Sequence, residues 1–292
     1  MIITDSQVHI WELTRPDRPW PPGRFVPEWA SEALSAEALL TKMAEAGVDR
    51  AVLIPPAFEG DYNDLCLAAA RAHPGRFGVM GRLPLDDPRS ERLLPTWMAN
   101  EGALGLRFTF FIPSQRRWLD DGTADWLWPA AEAAGIPLMV RSNPEALPIF
   151  GQIAVRHPDL KLIIDHLGVG HDAWNRDDRA FDHMDALLRI SHHPNIAIKA
   201  TGLAEYSTAP YPYRNVHKYF EKICGIFGEK RVFWGTDFTR LPCSYRQAVT
   251  MFTEEMPWLS SRNLELVMGG SLSEWLSWPA REVLLNHPDS PV

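Results

Sequence analysis

Cysteine is scarce in this 292-residue chain. Cys66, Cys224 and Cys243 lie far apart, are odd in number and fall in no CxxC or Cys/His spacing. That excludes a disulfide framework and a zinc knuckle, and it fits a reducing compartment. Long apolar runs are missing too: no stretch approaches the roughly 18 apolar residues needed to span a bilayer. The opening Met-Ile-Ile-Thr-Asp lacks a basic segment and an apolar core, so a cytoplasmic location is expected. Positive charge is in deficit, with 29 Lys plus Arg against 37 Asp plus Glu and a formal net charge of −8. Nucleic acid and membrane surfaces are therefore poor partners, which leaves a small molecule, with a homo-oligomer open. No GxGxxG follows the first apolar run and no GxxxxGK[ST] occurs, so nucleotide-binding folds lack their phosphate loop.

Proline and tryptophan are plentiful, at 25 and 12, and crowd together in PDRPWPPGRFVPEW (16–29). That stretch suits neither a regular helix nor a central strand and reads as a structured aromatic loop, either a lid or an oligomer contact. Elsewhere short runs rich in Val, Ile, Leu and Phe alternate with amphipathic segments. Strands are expected at Ile2–His9, Ala51–Ile54, Phe77–Arg82, Leu104–Phe108, Ile136–Val140, Leu160–Asp165, Ile196–Lys199 and Val232–Thr236. Helices are expected at Ala36–Ala46, Asn63–Ala72, Arg89–Ala99, Asp125–Ala134, Phe181–Ile190 and Tyr213–Phe227, with Leu264–Leu285 a helical segment on the barrel exterior. Runs such as LKLIID and RVFWG are apolar on both faces, as strands covered by helices are. Eight such strands alternating with helices favour a single (β/α)8 TIM-type barrel domain over residues 1–292, with extra C-terminal helices.

A barrel of this kind carries its chemistry at the C-terminal ends of its strands. Asp5, Gln7 and His9 recur at every second position of strand one and so leave one face. Arg107 belongs to strand four, Arg141 follows strand five, Asp165-His166 close strand six, Lys199 ends strand seven and Asp237 follows strand eight in FWGTDF. The convergence makes His9, His166 and Asp237 candidate catalytic groups. Arg107, Arg141, Lys199 and Gln7 are candidate substrate contacts, although the cations can equally neutralise buried carboxylates. Asp165 reads as structural, and Asp5 as a catalytic or a hydrogen-bonding residue with equal weight. His171 sits close enough to reach the mouth, and Trp11 and Trp20 could wall a pocket. His73, His157, His193 and His287 each precede Pro and read as helix-end residues.

DSQVHIW, LGLRFTF, LIIDHLG and VFWGTDF, in that order from residue 2 to about residue 285, resemble the amidohydrolase superfamily. The match is to the amidohydrolase-related group that includes 2-pyrone-4,6-dicarboxylate lactonase and sugar lactonases. The resemblance implies a distorted (β/α)8 barrel with His9, His166 and Asp237 in its active site. It also implies a hydrolase that opens a lactone or related ester of a carboxylate-bearing substrate. Two departures stand out. The group usually has D-x-H-x-H on strand one, and Gln7 replaces the first His, as in the similar Q-x-H of D-galactarolactone isomerase. Val169 stands where the dicarboxylate lactonase is expected to have Arg. A carboxamide is a weak zinc ligand, so no cofactor is expected to be required; a divalent ion such as zinc would fall to His9, His166 and Asp237. A metal-dependent non-oxidative decarboxylase and a lactone isomerase are the alternatives on the same barrel, and a non-catalytic carboxylate-binding barrel is the remaining one.

Overall fold

A computed structural model describes residues 1–170 and 176–278. Eight parallel strands follow chain order around one sheet: β1 (Thr4–Val8), β2 (Arg50–Leu53), β3 (Phe77–Gly81), β4 (Ala103–Phe110), β5 (Leu138–Ser142), β6 (Leu162–Ile164), β7 (Ile196–Thr201) and β8 (Val232–Gly235). Helices lie between them, giving the (β/α)8 arrangement that the alternation of apolar runs implies. The helix at Ala36–Ala46 shows how local chemistry sets the ends. The Ser35 hydroxyl accepts from Ala38 N–H, and Gly47, in the left-handed region at φ 77°, ends the helix. Its buried face, Leu39, Met43 and Ala46, packs on the sheet.

Two layers of apolar packing flank the strands. Val8, Leu53, Val79, Leu106, Val140, Ile164, Ile198 and Trp234 join the outer core under the helices. Val52, Met80, Met139, Ile163, Ala197 and Phe233 form a separate inner cluster filling the barrel. That inner cluster explains a departure from the sequence reading. The C-terminal segment, expected on the exterior, instead turns under the barrel: Leu272 and Leu276 pack with the interior residues. Lys161 Nζ donates to Trp275 O at 2.8 Å, and the Arg50 guanidinium covers the Trp278 ring at 3.5 Å. An open barrel bottom exposes the inner apolar layer, and these side chains cover it. The expected helix is broken into Ser261–Glu265, a π turn at Leu266–Gly270 and Ser271–Trp275; beyond residue 278 it lies outside the described residues.

The sheet is closed between β8 and β1 by polar bonds. Asp237 N–H donates to Gln7 O at 2.9 Å, and the Asp5 carboxylate accepts from Gln7 N–H (3.0 Å), Thr236 N–H (2.9 Å), the Thr236 hydroxyl and Tyr245 OH (2.8 Å). The β1–β2 register shifts between Asp5 and Val8. This bulge breaks the strict alternation that would send Asp5, Gln7 and His9 to one face, and Asp5 turns to β8 and Tyr245. Of its two sequence readings, the hydrogen-bonding one describes these contacts. A capping box at Ser244 and Gln247 opens the helix that carries Tyr245. No helix among the described residues is long and apolar enough to cross a membrane.

Candidate active site

The candidate residues lie within their strands or directly after them. His9 follows β1, Arg107 and Arg141 lie within β4 and β5, His166 follows β6, Lys199 lies in β7 and Asp237 follows β8. Three of them meet. His9 Nε2 lies 3.2 Å from Asp237 Oδ1, and His166 Nε2 lies 4.0 Å from Asp237 Oδ2. On its other side the His9 ring is held by Nδ1, 2.6 Å from Ile54 O. A carbonyl can only accept, so Nδ1 carries a hydrogen, and Nε2 completes a bond to the carboxylate only with a proton between them.

The backbone under these groups is unusual. His166, Leu167 and Gly168 are all left-handed, at φ 51°, 56° and 67°, and Asp237 is at φ 50°. Non-glycine residues rarely adopt this conformation, and where they do they cluster at functional sites. Here the turns direct two side chains, from the ends of β6 and β8 on either side of β7, toward the same space.

A second set of residues lies beneath. Asp165 receives Lys199 Nζ on Oδ1 and Arg107 Nε on Oδ2, both at 2.9 Å. Lys199 is 0% exposed and also donates to Gln7 Oε1 at 2.5 Å. The Gln7 Nε2 lies 3.2 Å from His166 Nε2. Arg107 is further tied to the Thr109 hydroxyl (2.9 Å), and Arg141 donates to Val169 O (2.5 Å). Gln7, Lys199 and Arg107 are thus joined to Asp165 and His166 in one buried network.

Burial alone would raise the Asp237 carboxyl, but His9, Arg240 and His166 outweigh it and hold it well below the usual carboxylate range. Asp165 follows the same logic: burial raises it, and Lys199, Arg107 and His166 bring it below the ordinary value. His166 is pushed well below 6.5, first by burial and then by Arg141, so its ring is neutral near pH 7. Burial lowers Lys199, and Asp165 opposes that shift.

Sequence reasoning missed three neighbours. Arg240 bridges Asp237 Oδ2 (3.5 Å) and Glu205 Oε1 (2.6 Å); its signal was its place three residues after Asp237. Arg82, directly after β3, is buried and feels Arg107, and burial lowers it to about 10. The strand-end rule that selected the other cations points to it too. Tyr206, in the loop after β7, is buried with no partner for its hydroxyl among the described residues, and burial pushes it up to about 12. Nothing in the sequence pattern marks it. Arg141, Arg240 and Asp237 all act on this phenol electrostatically.

Trp11 and Trp20 join Trp29 and Phe58 in an aromatic cluster, with Trp11–Trp29 and Trp20–Phe58 centroids 5.0 and 4.9 Å apart. Phe238, next to Asp237, packs on this cluster and stacks on Tyr245. The Pro-rich segment is therefore anchored by its tryptophans, while Phe25 stands 83% exposed. His171 lies outside the described residues.

A metal ion fits these donors poorly. The Gln7 amide already faces His166 Nε2, the nitrogen a ligand would need, and Lys199 occupies the Gln7 oxygen. Among the described residues no group of three His, Cys, Asp or Glu side chains is arranged to hold an ion.

Residues 4–268 match the family model described as Amidohydrolase. The chain belongs to the amidohydrolase family. It is accordingly an enzyme of a hydrolase family. It is 24% identical over 235 residues to an L-fucono-1,5-lactonase from Burkholderia ambifaria, covering 80% of this chain and 79% of that one. Its fold is similar to that of an amidohydrolase from Burkholderia multivorans with bound zinc (TM-score 0.78, 19% identity, 96% of this chain and 100% of the other). It is also similar to that of a candidate 2-pyrone-4,6-dicarboxylic acid hydrolase from Pseudomonas putida (TM-score 0.72, 20% identity, 95% and 98%). At these identities the two structures speak for the barrel alone.

Proposed function

We propose that this amidohydrolase opens a lactone or related carboxylic ester of a small carboxylate-bearing substrate. The observation that carries the reading is the meeting of His9, His166 and Asp237 at the strand ends, 3.2 and 4.0 Å apart. The sequence relationship to a lactonase supports it. Asp237, ionised across the physiological range, takes a proton from water as the oxygen attacks the carbonyl. His166 supplies an N–H donor to the carbonyl oxygen, where negative charge builds in the tetrahedral intermediate. His9, whose Nδ1–H is given to Ile54 O, acts through its Nε2 contact with Asp237, orienting the carboxylate. As the carbon–oxygen bond breaks, protonated Asp237 returns its proton to the leaving alkoxide, and the product is a hydroxy acid. No step is routed through a metal.

The charge around β3–β5 supports an acidic substrate. Among the described residues Arg82 pairs with Asp61 at 3.7 Å, Arg107 and Lys199 share Asp165, and Arg141 has no ion pair. A carboxylate of the substrate would complete this balance through charge-assisted bonds to Arg107 and Arg141, in a protein whose overall charge is −8. A screen of lactones with and without a carboxylate, read by base consumption and product mass, tests the reading. Ring-opened acid from the carboxylated members is the expected result. A ring-isomerised lactone or released carbon dioxide would reject hydrolysis.

A further inference from the structure

We infer that Lys199 is a positioning residue. It fixes the Gln7 carboxamide so that the amide NH2 is donated to His166 Nε2, which holds this imidazole as the Nδ1–H tautomer and removes the lone pair a metal ion would need.

The argument is one of donors and acceptors. The Lys199 ammonium is held by Asp165 at 2.9 Å and has no acceptor lone pair. The Gln7 atom 2.5 Å from it must therefore be the oxygen; a flipped carboxamide would set two donors against each other. With the oxygen fixed, the NH2 is the group 3.2 Å from His166 Nε2. An amide NH2 only donates, so Nε2 accepts, and the ring hydrogen resides on Nδ1. Lys199, Gln7 and His166 are each at most 1% exposed, so water does not blur the relay. Asp165, clamped also by Arg107 at 2.9 Å, anchors the far end.

Two consequences follow. His166 Nδ1 is buried without a hydrogen-bond partner among the described residues. A donor left this way costs about 1–3 kcal/mol, and the carbonyl oxygen of a substrate would satisfy it. On the reading under Proposed function, on which this step rests, Nδ1–H is the hydrogen His166 offers to the developing oxyanion. Secondly, an ion could reach Nε2 only by displacing the Gln7 NH2, and Lys199 resists that displacement.

The test uses full-length protein labelled with 15N-histidine and a long-range 1H–15N correlation at pH 8, with His166 assigned by its loss in His166→Gln. A protonated Nδ1 and an unprotonated Nε2 are expected. Gln7→Glu replaces the donor facing Nε2 by a carboxylate oxygen and keeps a partner for Lys199, so the hydrogen is expected to move to Nε2. In the same variant kcat should fall about 100-fold, the scale of one misplaced proton-handling group, with KM within about 3-fold. Lys199→Met frees the carboxamide and should give both tautomers; should it fail to fold, the wild-type and Gln7→Glu spectra still decide. Zinc added to the wild type should leave the His166 nitrogens unmoved, whereas Gln7→His should bind it at least 10-fold more tightly. A wild-type His166 protonated at Nε2, an unchanged tautomer in Gln7→Glu, or zinc on wild-type Nε2 would overturn the inference. These spectra need no substrate: the expected tautomer in a protein that opens no lactone would refute the proposed function alone.

Discussion

Asp237 and His9 form a pair across the seam where the barrel closes, with Oδ1 and Nε2 3.2 Å apart and the far nitrogen of His9 tied to Ile54 O. The same seam carries Asp237 N–H to Gln7 O. The backbone bond that joins β8 to β1 and the side-chain pair proposed to do the chemistry thus belong to one structural unit.

Asp237→Asn should abolish the base and spare the fold. Asn tolerates the left-handed backbone at φ 50°, and its amide fills the same volume. A loss of about 100- to 10,000-fold in kcat is expected, the range for removing a proton-transfer group, with an unchanged circular dichroism spectrum. Full turnover in this variant would remove Asp237 from the mechanism.

The neutral, buried His166 makes stability depend on pH. Its folded pKa lies below 6.5, so below pH 6.5 the unfolded chain binds the additional proton, and the native state loses ground as pH falls. His166→Gln should remove that dependence. Between pH 7 and 5, wild-type stability should fall relative to the variant by up to about 1.4 kcal/mol per pH unit. Urea unfolding of both proteins across this range measures the difference. Asp5, raised to about 6 by burial, acts in the opposite direction in both proteins and cancels.

Gly235→Ala tests the closeness of the seam. A Cβ there would strike the Ser6 hydroxyl and approach Asp5 Oδ1, which forces β8 away from β1. Overpacking of this kind costs about 1–3 kcal/mol. Because Asp237 is two residues on, kcat should fall along with the melting temperature. A stable variant with normal kcat would show that the seam does not set the position of Asp237.

Tyr206→Phe separates a structural hydroxyl from a substrate-facing one. The hydroxyl has no partner among the described residues, so its removal should leave stability within about 0.5 kcal/mol. A roughly 10-fold fall in kcat/KM, the value of one hydrogen bond of about 1.4 kcal/mol, is the expected kinetic effect. An unchanged kcat/KM would place the phenol outside the substrate contacts.

The barrel was legible because each strand is an apolar run bounded by turn residues, and the period of strand plus helix repeats along the chain. All eight expected strands are present, with no end shifted by more than two residues. The strand-end rule also selected residues that prove to be neighbours, His9, His166 and Asp237. It could not foresee the bulge that sends Asp5 to Thr236 and Tyr245, because a register shift leaves the order of residues unchanged. Nor could it see that the C-terminal segment turns under the barrel, since a helix is equally apolar whether it caps an end or lies against a side. Tyr206 was hidden because a loop residue has no periodicity, and Lys199 could be placed near the site but not assigned to Asp165 and Gln7 until distances were known.

The most direct test of the central claim is the fate of solvent oxygen. The wild-type enzyme, given the carboxylated lactones in H2(18)O, should place one labelled oxygen in the new carboxylate of each ring-opened product, and Asp237→Asn should form that labelled product about 100- to 10,000-fold more slowly. Turnover that yields unlabelled product, or labelled product formed by Asp237→Asn at the wild-type rate, would contradict water activation by Asp237.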